Sequence, residues 1–395
     1  MMKDNKRHTP DGFKDSLPGP YQFKLKLKQK IENTFYLAGY SPISSPMLEY
    51  AEVFEGAGSA PPRQMYRLID REGDVLTLRS DMTPPVARIA ATNYTPADLP
   101  LRFYYTENAF RCHQSYKGKA GEFTESGVEL LGGGAEADAE VIALAVNCLR
   151  AAGLTEFRVY MGHAGFFRGA LEESGMAEED KAAALRHIAG HNIVAAEALL
   201  RGKKLSYGLI KLTERLNMLT GDAGILDEAG GLVHNETSAL AVSALREIYD
   251  ALTDYGLTEY ILFDLGMTGT LDYYTGAVFR VYARGTGFSL LDGGRYDNLV
   301  KQYGQDFPAV GFSLKLDNLA AILDGGEPLS GGALIAYTRA GRKEAFLKAA
   351  ELRAEGIRTE NSLTVGAPRE YYEAEARARG IERVYYFEGG DAWGI

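Results

Sequence analysis

Apolar and polar positions along the chain recur with two periods, one near 3.6 residues and one near 2, and the two kinds of stretch interleave throughout. Between Tyr21 and Leu37, Phe23, Leu27, Ile31 and Phe35 recur at i+4 and predict a helix that Gly39 stops. YSPISSPMLEYAEVF then alternates around Pro42 and Pro46, which predicts an edge or interface strand, because proline cannot donate to a ladder. A second copy of the chain is one way to cover such an edge. MYRLIDREGDVLTLRS reads as a hairpin turning at Glu72 to Asp74, with a short helix opened by Thr83, Pro84 and Pro85 behind it. Two aromatic and β-branched runs follow, Phe103 to Phe110 and Phe123 to Leu131, flanking the polar run Ser115 to Gly121 as the arms of a β-hairpin. Alternation along the second arm puts Glu125 and Glu129 on one face with Gly127 between them, a concave acidic floor. Solvated charge on a surface hairpin is the plain alternative. Glycine at a strand centre often marks close approach by a ligand, which favours a site.

Beyond the hairpin, Val141, Leu144, Ala145, Cys148 and Leu149 predict an amphipathic helix over Ala137 to Ala152, and EFRVYMG predicts a strand. From about Phe166 to Asp227 the chain is rich in Ala, Leu, Glu and Lys without strand signals, as in a helical insertion. His187 and His191 lie four apart in it, but no third ligand accompanies them, so a solvated helix face is expected. Leu240, Ala244, Ile248 and Leu252 predict another helix, followed by strands in YILFDLG, LDYYTGAVFRVYA and GFSLLDGGRYDN and a last strand and helix in FPAVGFSLKLDNLAAIL. The glycines of LLGGGAEAD and LLDGGRYDN lack a nucleotide-loop context and read as turns. Long antiparallel strands flanked by helices make an α+β domain over 1–324. GGEPLSGG, 325–332, reads as a linker, and 333–395 as a small α/β domain of β-α-β-α-β order.

At 395 residues the chain exceeds one ordinary core, consistent with that division. No stretch approaches the ~18 apolar residues of a membrane span and MMKDNKRHTP carries no apolar leader, so a cytoplasmic protein is expected. Cys112 and Cys148 are the only cysteines, and each is expected as a buried, reduced thiol. A net charge of −10 argues against general nucleic-acid binding. No cofactor or metal site is legible.

Taken in order, TPDGFKDSLP, LRSDMTPPVAR, FRCHQSYKGKAGEFTESGVE, LDYYTG, GGRYD and AVGFSLKLDNLA resemble the motifs of histidyl-tRNA synthetase, a class II aminoacyl-tRNA synthetase, over essentially the whole chain. The resemblance implies the class II antiparallel sheet flanked by helices, dimerisation through the Pro46 region and a truncated anticodon-binding-like C-terminal domain. It also implies a histidine pocket in which Glu129 and Tyr274 meet the imidazole, Asp81 and Glu125 the ammonium and Arg111 the carboxylate, with Thr83, Tyr273 and Tyr296 nearby.

The departures concern the nucleotide. Gly269 and Thr270 stand where the synthetase pattern RGLDYY carries its catalytic arginine; Lys315, Leu316, Asp317 and Asn318 replace GLER; His113 replaces a glutamate. Adenylation needs positive charge against the triphosphate and carboxylates for magnesium, and both supports are reduced together. Lys315 is expected to fill the vacated nucleotide space. The combination resembles the synthetase-like regulatory subunits of ATP phosphoribosyltransferase, which implies no chemistry of its own, a short-form catalytic subunit as partner, free histidine as inhibitory effector and no role for tRNA. An active or degenerate histidyl-tRNA synthetase is the rival reading.

Overall fold

The computed structural model describes all residues except 1–4, 58–60, 113–119, 173, 191, 202, 204–206, 216–218, 268–272, 324–330, 390–391 and 395. The chain divides into two compact units, Met1–Asp15 with Lys24–Leu323, and Ser16–Phe23 with Asp324–Ile395. Helix α1 (Pro18–Leu37) begins three residues before the predicted start, with Pro18 and Pro20 in a first turn whose N–H groups have no helical partner in any case. Leu27, Ile31 and Phe35 are its buried stripe, and Gly39, at φ +87°, takes the left-handed conformation that ends it.

In chain order the strands of the first unit are β1 (Ser41–Pro42), β2 (Leu48–Tyr50), β3 (Arg67–Ile69), β4 (Val75–Leu78), β5 (Leu101–Phe110), β6 (Glu122–Leu131), β7 (Phe157–His163), β8 (Thr220–Gly221), β9 (Ile261–Asp264), β10 (Ala277–Ala283), β11 (Leu291–Arg295) and β12 (Ala309–Lys315). Strands β2, β4 and β3 pair in that order as a small sheet. The others, counted over the described residues, form one nine-stranded sheet ordered β1-β5-β6-β12-β11-β10-β7-β9-β8. Pairing in it is antiparallel except for β1 with β5 and β7 with β9. The proline-rich stretch thus yields two short edge strands, β1 and β2, in different sheets, and Leu48, Tyr50, Leu68, Ile69 and Val75 of the small sheet are exposed.

Helices α2 (Thr83–Asn93) and α3 (Ala135–Ala152) follow the hairpins as expected. Helices α4 (Ala164–Glu172), α5 (Glu178–Ala189), α6 (Ile193–Arg201), α7 (Tyr207–Glu214) and α8 (Ile225–Leu232) fill the inserted region, and α9 (Glu236–Asp254) and α10 (Leu316–Ile322) come after it. Helices α3 and α9 pack on each other, α3 over β6, β11 and β12 and α9 over β7 and β10.

Three expectations need correction. The buried stripe of α9 is Ala241, Leu245, Ile248 and Leu252, whereas Leu240 is 62% exposed; a 3.6-residue period carries the stripe through 241 and 245 rather than 240 and 244. The helical insertion also contains one strand, β8, which is only two residues long and carries no alternation to read. The turn expected in LLGGGAEAD forms, with Gly132 and Gly133 at φ +105° and +77°, but LLDGGRYDN holds strand β11. Its glycines answer to packing: a Cβ at Gly293 would lie 2.4 Å from Phe279 Cζ, and one at Gly294 2.7 Å from Tyr274 Cε1.

In the second unit, β13 (Ala333–Tyr337), α11 (Arg342–Ala354), β14 (Thr359–Asn361), α12 (Arg369–Ala378) and β15 (Arg383–Phe387) give the expected alternation, and a fourth strand, β16 (Ala392–Gly394), pairs antiparallel with β15. Apolar clusters built on Tyr372 and Ala376 and on Ala345, Ala349 and Leu352 pack this sheet. Of the expected linker, only Gly331 and Gly332 fall among the described residues. No helix among the described residues is long and apolar enough to cross a membrane.

Candidate functional site

The site is laid out by the register of β5, β6, β12, β11 and β10. Residues paired across strands share a face, so the sheet presents rows of side chains. One row runs Phe103, Glu129, Gly311, Gly294 and Val278; the next runs Tyr105, Gly127, Ser313, Asp292 and Arg280; a third sets Glu125 beside Lys315. Two glycines beside Glu129 make the hollow. A Cβ at Gly311 would lie 1.8 Å from Glu129 Oε2, so Gly311 is the space that Glu129 occupies. Gly127 corrects the reading of a ligand approach: a Cβ there would meet the Tyr105 hydroxyl at 2.6 Å, so Tyr105, not a ligand, takes that room.

Two segments complete the walls. Arg79 is buried and donates to the carbonyls of Ser45 and Asn108, each at 2.7 Å, while the Phe110 N–H reaches the Arg79 carbonyl at 2.9 Å. This presses the chain from 79 to 83 against the end of β5 and delivers Asp81 and Thr83. On the other side, the Thr275 N–H donates to the Arg295 carbonyl at 2.8 Å and fixes the end of the segment carrying Tyr273 and Tyr274. Arg295 is itself held by Asp138 at 2.9 Å and Asp297 at 3.0 Å.

The cavity so enclosed has a volume of about 110 Å³ and is lined by Asp81, Thr83, Arg111, Glu125, Tyr273, Tyr274 and Tyr296, together with Asp292, Gly294, Gly311, Phe312, Ser313 and Lys315. Seven of the eight residues named from sequence are on that wall. Glu129, the eighth, lies fully buried behind it: Thr83 Oγ1 donates to Glu129 Oε1 at 2.7 Å, the Tyr296 hydroxyl donates to Oε2, and the Tyr105 hydroxyl stands 3.4 Å from Oε1. Glu129 is thus joined to the cavity wall through the hydroxyls of Thr83 and Tyr296.

Charge is unevenly matched here. Arg111 Nε donates to the Ser80 carbonyl at 2.8 Å, and its Nη2 lies 3.5 Å from Asp81 and 3.9 Å from Glu125. Asp81 Oδ1 also accepts the Thr83 N–H at 3.0 Å. Glu125 Oε2 is buried and has no hydrogen-bond partner among the described residues; the Ser313 hydroxyl is in the same state. Burial, then the Asp81 charge, pushes the Glu125 carboxyl up to about 7 against the pull of Arg111, Lys315 and the nearby Ser313 hydroxyl. Burial likewise raises Glu129 to about 8 despite its hydroxyl donors. A buried acceptor without a donor costs on the order of 1–3 kcal/mol, which a cationic ligand would recover.

The end where the synthetase pattern departs is internally neutralised. Lys315 Nζ donates to Asp292 Oδ2 at 2.6 Å and Ser289 Oγ at 2.8 Å, and Arg280 Nε lies 3.2 Å from Asp292 Oδ1. Asp317 accepts from Lys24 Nζ at 2.7 Å and from the Thr124 N–H at 2.7 Å. Lys315 therefore lies in an ion pair rather than spreading over an empty floor. Sequence reasoning missed Asp292, Ser313 and Tyr105 as site residues, and their only signal was the strand register. His113, Lys117, Lys119, Gly269, Thr270 and His191 lie outside the described residues. Cys148 is buried as expected; Cys112 is half-buried, because it sits just past the end of β5 rather than in a core. Among the described residues no cluster is placed to hold a metal ion.

The family model for histidyl-tRNA synthetase matches residues 12–319. A protein of Acetivibrio thermocellus named ATP phosphoribosyltransferase regulatory subunit is 36% identical over 371 residues, 92% of this chain and 89% of that protein. One of Ruminiclostridium cellulolyticum with the same name is 36% identical over 384 residues, 95% of this chain and 92% of its own. Among solved structures, an ATP phosphoribosyltransferase regulatory subunit/histidyl-tRNA synthetase from Bacillus halodurans matches with a TM-score of 0.89 at 32% identity, covering 98% of this chain and all (100%) of that one. Histidyl-tRNA synthetase from a Nostoc species shares the fold alone, with a TM-score of 0.83 at 19% identity over 98% of this chain and 96% of that one. The α+β sheet, the synthetase-like pocket and these relatives converge: the chain belongs to the family of ATP phosphoribosyltransferase regulatory subunits, built on the class II fold of histidyl-tRNA synthetase.

Proposed function

We propose that this chain performs no chemistry itself and acts in the cytoplasm with a short-form ATP phosphoribosyltransferase catalytic subunit, which it activates and on which it confers inhibition by free histidine. The observation that carries the reading is a contrast: Glu125 Oε2, on the cavity wall, lacks a partner, while Asp317, in the segment that departs from the synthetase pattern, is paired with Lys24. A site that keeps its amino-acid acceptors open and closes its phosphate end suits a free amino acid and not an adenylate.

In this reading the ammonium group sits between Asp81 and Glu125, and Arg111 faces the carboxylate. The imidazole meets Tyr274 and the hydroxyls of Thr83 and Tyr296, with Glu129 as the acceptor that orients both hydroxyls. The buried ring of Tyr273, 5.0 Å from Tyr274 and 5.9 Å from Tyr296 between centroids, closes the wall. Each charge-assisted hydrogen bond contributes about 1.5–3 kcal/mol, enough for a selective small-ligand site. Histidine then shifts a two-state assembly by a coupling of about 1–3 kcal/mol. The exposed apolar face of the small sheet supports self-association there. The balance of −10 supports leaving tRNA out.

The test is an assay of a short-form catalytic subunit alone, with this chain, and with this chain plus histidine. Activation on mixing and inhibition by histidine are expected, together with co-elution in gel filtration. Absence of a joint complex, or histidine-dependent pyrophosphate exchange by this chain alone, would overturn the reading.

A further inference from the structure

The cavity holds a cation that the pattern of a synthetase does not contain, and its position gives it a task. Lys315 is paired in register with Glu125, directly across the ladder from it. Directly opposed side chains on one face stand about 4.5–5.5 Å apart at Cβ. Arg111 approaches the same carboxylate from the other side, with Nη2 3.9 Å from Glu125 Oε1. Glu125, with its open oxygen, therefore has Arg111 close by and the attraction of Lys315 from across the ladder, and both cations line the cavity. Lys315 is held there by Asp292 at 2.6 Å and Ser289 Oγ at 2.8 Å, with a longer hydrogen bond to the Ser289 carbonyl at 3.4 Å that a stronger acceptor can displace. The buried Ser313 hydroxyl, two residues earlier on the same face, has no partner among the described residues.

We propose that Lys315 is a specificity-determining residue that binds the free α-carboxylate of the amino-acid effector, taking over the carboxylate charge together with Arg111 while Ser313 donates beside it. The proposal rests on the histidine-effector reading above. A zwitterion fits the alternation of charge: its ammonium lies on Glu125 and Asp81, and its carboxylate lies between Arg111 and Lys315. Asp292 serves as the positioning residue that keeps the lysine extended along the sheet. A ligand that has an imidazole and an ammonium but no carboxylate forfeits this contact.

Calorimetric titration of the full chain with histidine and with histidinamide, at a pH where both ammonium groups are charged, tests this. The native chain should bind histidine at least about tenfold more tightly than histidinamide, the size of one charge-assisted contact. Lys315→Met should bring that ratio to within about threefold of unity by weakening histidine alone, and Lys315→Arg should restore part of it. Lys315→Gln, which keeps a donor for Asp292, replaces the methionine variant should that one not fold. A ratio unchanged in these variants, or an equal loss for both ligands, overturns the proposal and leaves the effector reading standing. A native chain that binds neither ligand overturns the effector reading, and the role of Lys315 with it.

Discussion

The cavity wall and the substituted segment next to it behave oppositely. On the wall, buried carboxyls outnumber the cations that reach them, one carboxyl oxygen has no donor, and burial drives two carboxyls up to about 7 and about 8. In the substituted segment next to it, Asp317 is paired with Lys24 within the chain. A buried acceptor without a donor is available to a ligand, whereas a charge already paired within the chain is not. That difference is what the proposed change from synthetase pocket to sensor requires.

The comparison breaks most sharply at Gly311. Gly311→Ala would drive a methyl group into the Glu129 carboxylate, which has no other room and three hydroxyls arranged around it. Overpacking there should cost about 3 kcal/mol in denaturant unfolding and abolish histidine binding. The next effect belongs to Glu125. Glu125→Gln keeps the shape but removes the charge facing the ammonium, so histidine affinity by calorimetry should fall by roughly 1.5–3 kcal/mol with folding intact.

A pH series sharpens the same contrast. Carboxyls raised from 4.5 to about 7 and about 8 hold more protons in the native than in the unfolded chain. The ligand-free protein should therefore be most stable below about 4.5 as far as these groups go, and lose that contribution as pH rises through 7 to 8. Thermal melts of Glu125→Gln should show a shallower fall over that window. For the same reason, a cationic ligand that favours the ionised carboxyls should release protons on binding near pH 7, seen as a dependence of calorimetric heat on buffer ionisation enthalpy. The smallest effect is expected in the substituted segment. Lys24→Met breaks a part-exposed pair and should change stability by no more than about 1 kcal/mol, leaving histidine affinity unaltered.

Much of this was readable one segment at a time. The period near 3.6 placed α1 and α3, alternation placed β5 and β6, and the motif residues Asp81, Thr83, Arg111, Glu125, Tyr273, Tyr274 and Tyr296 all line one wall. The α9 stripe was misplaced by one residue because alanines at 241 and 244 give apolar periodicity no means of choosing between faces. The glycines of β11 read locally as punctuation, because the rings of Phe279 and Tyr274 that need their space come from other parts of the chain.

The sequence by itself determined most of the helices and long strands, through local periodicity, and, through the motifs it shares with histidyl-tRNA synthetase, which residues gather on one wall. Only the tertiary structure decided that Glu129 stands behind the wall, that Tyr105 fills the gap at Gly127, that Lys315 faces Glu125 and that Asp317 answers Lys24. Those pairs lie from 22 to 293 residues apart along the chain and are set by strand register and helix packing, for which neighbouring residues carry no signature.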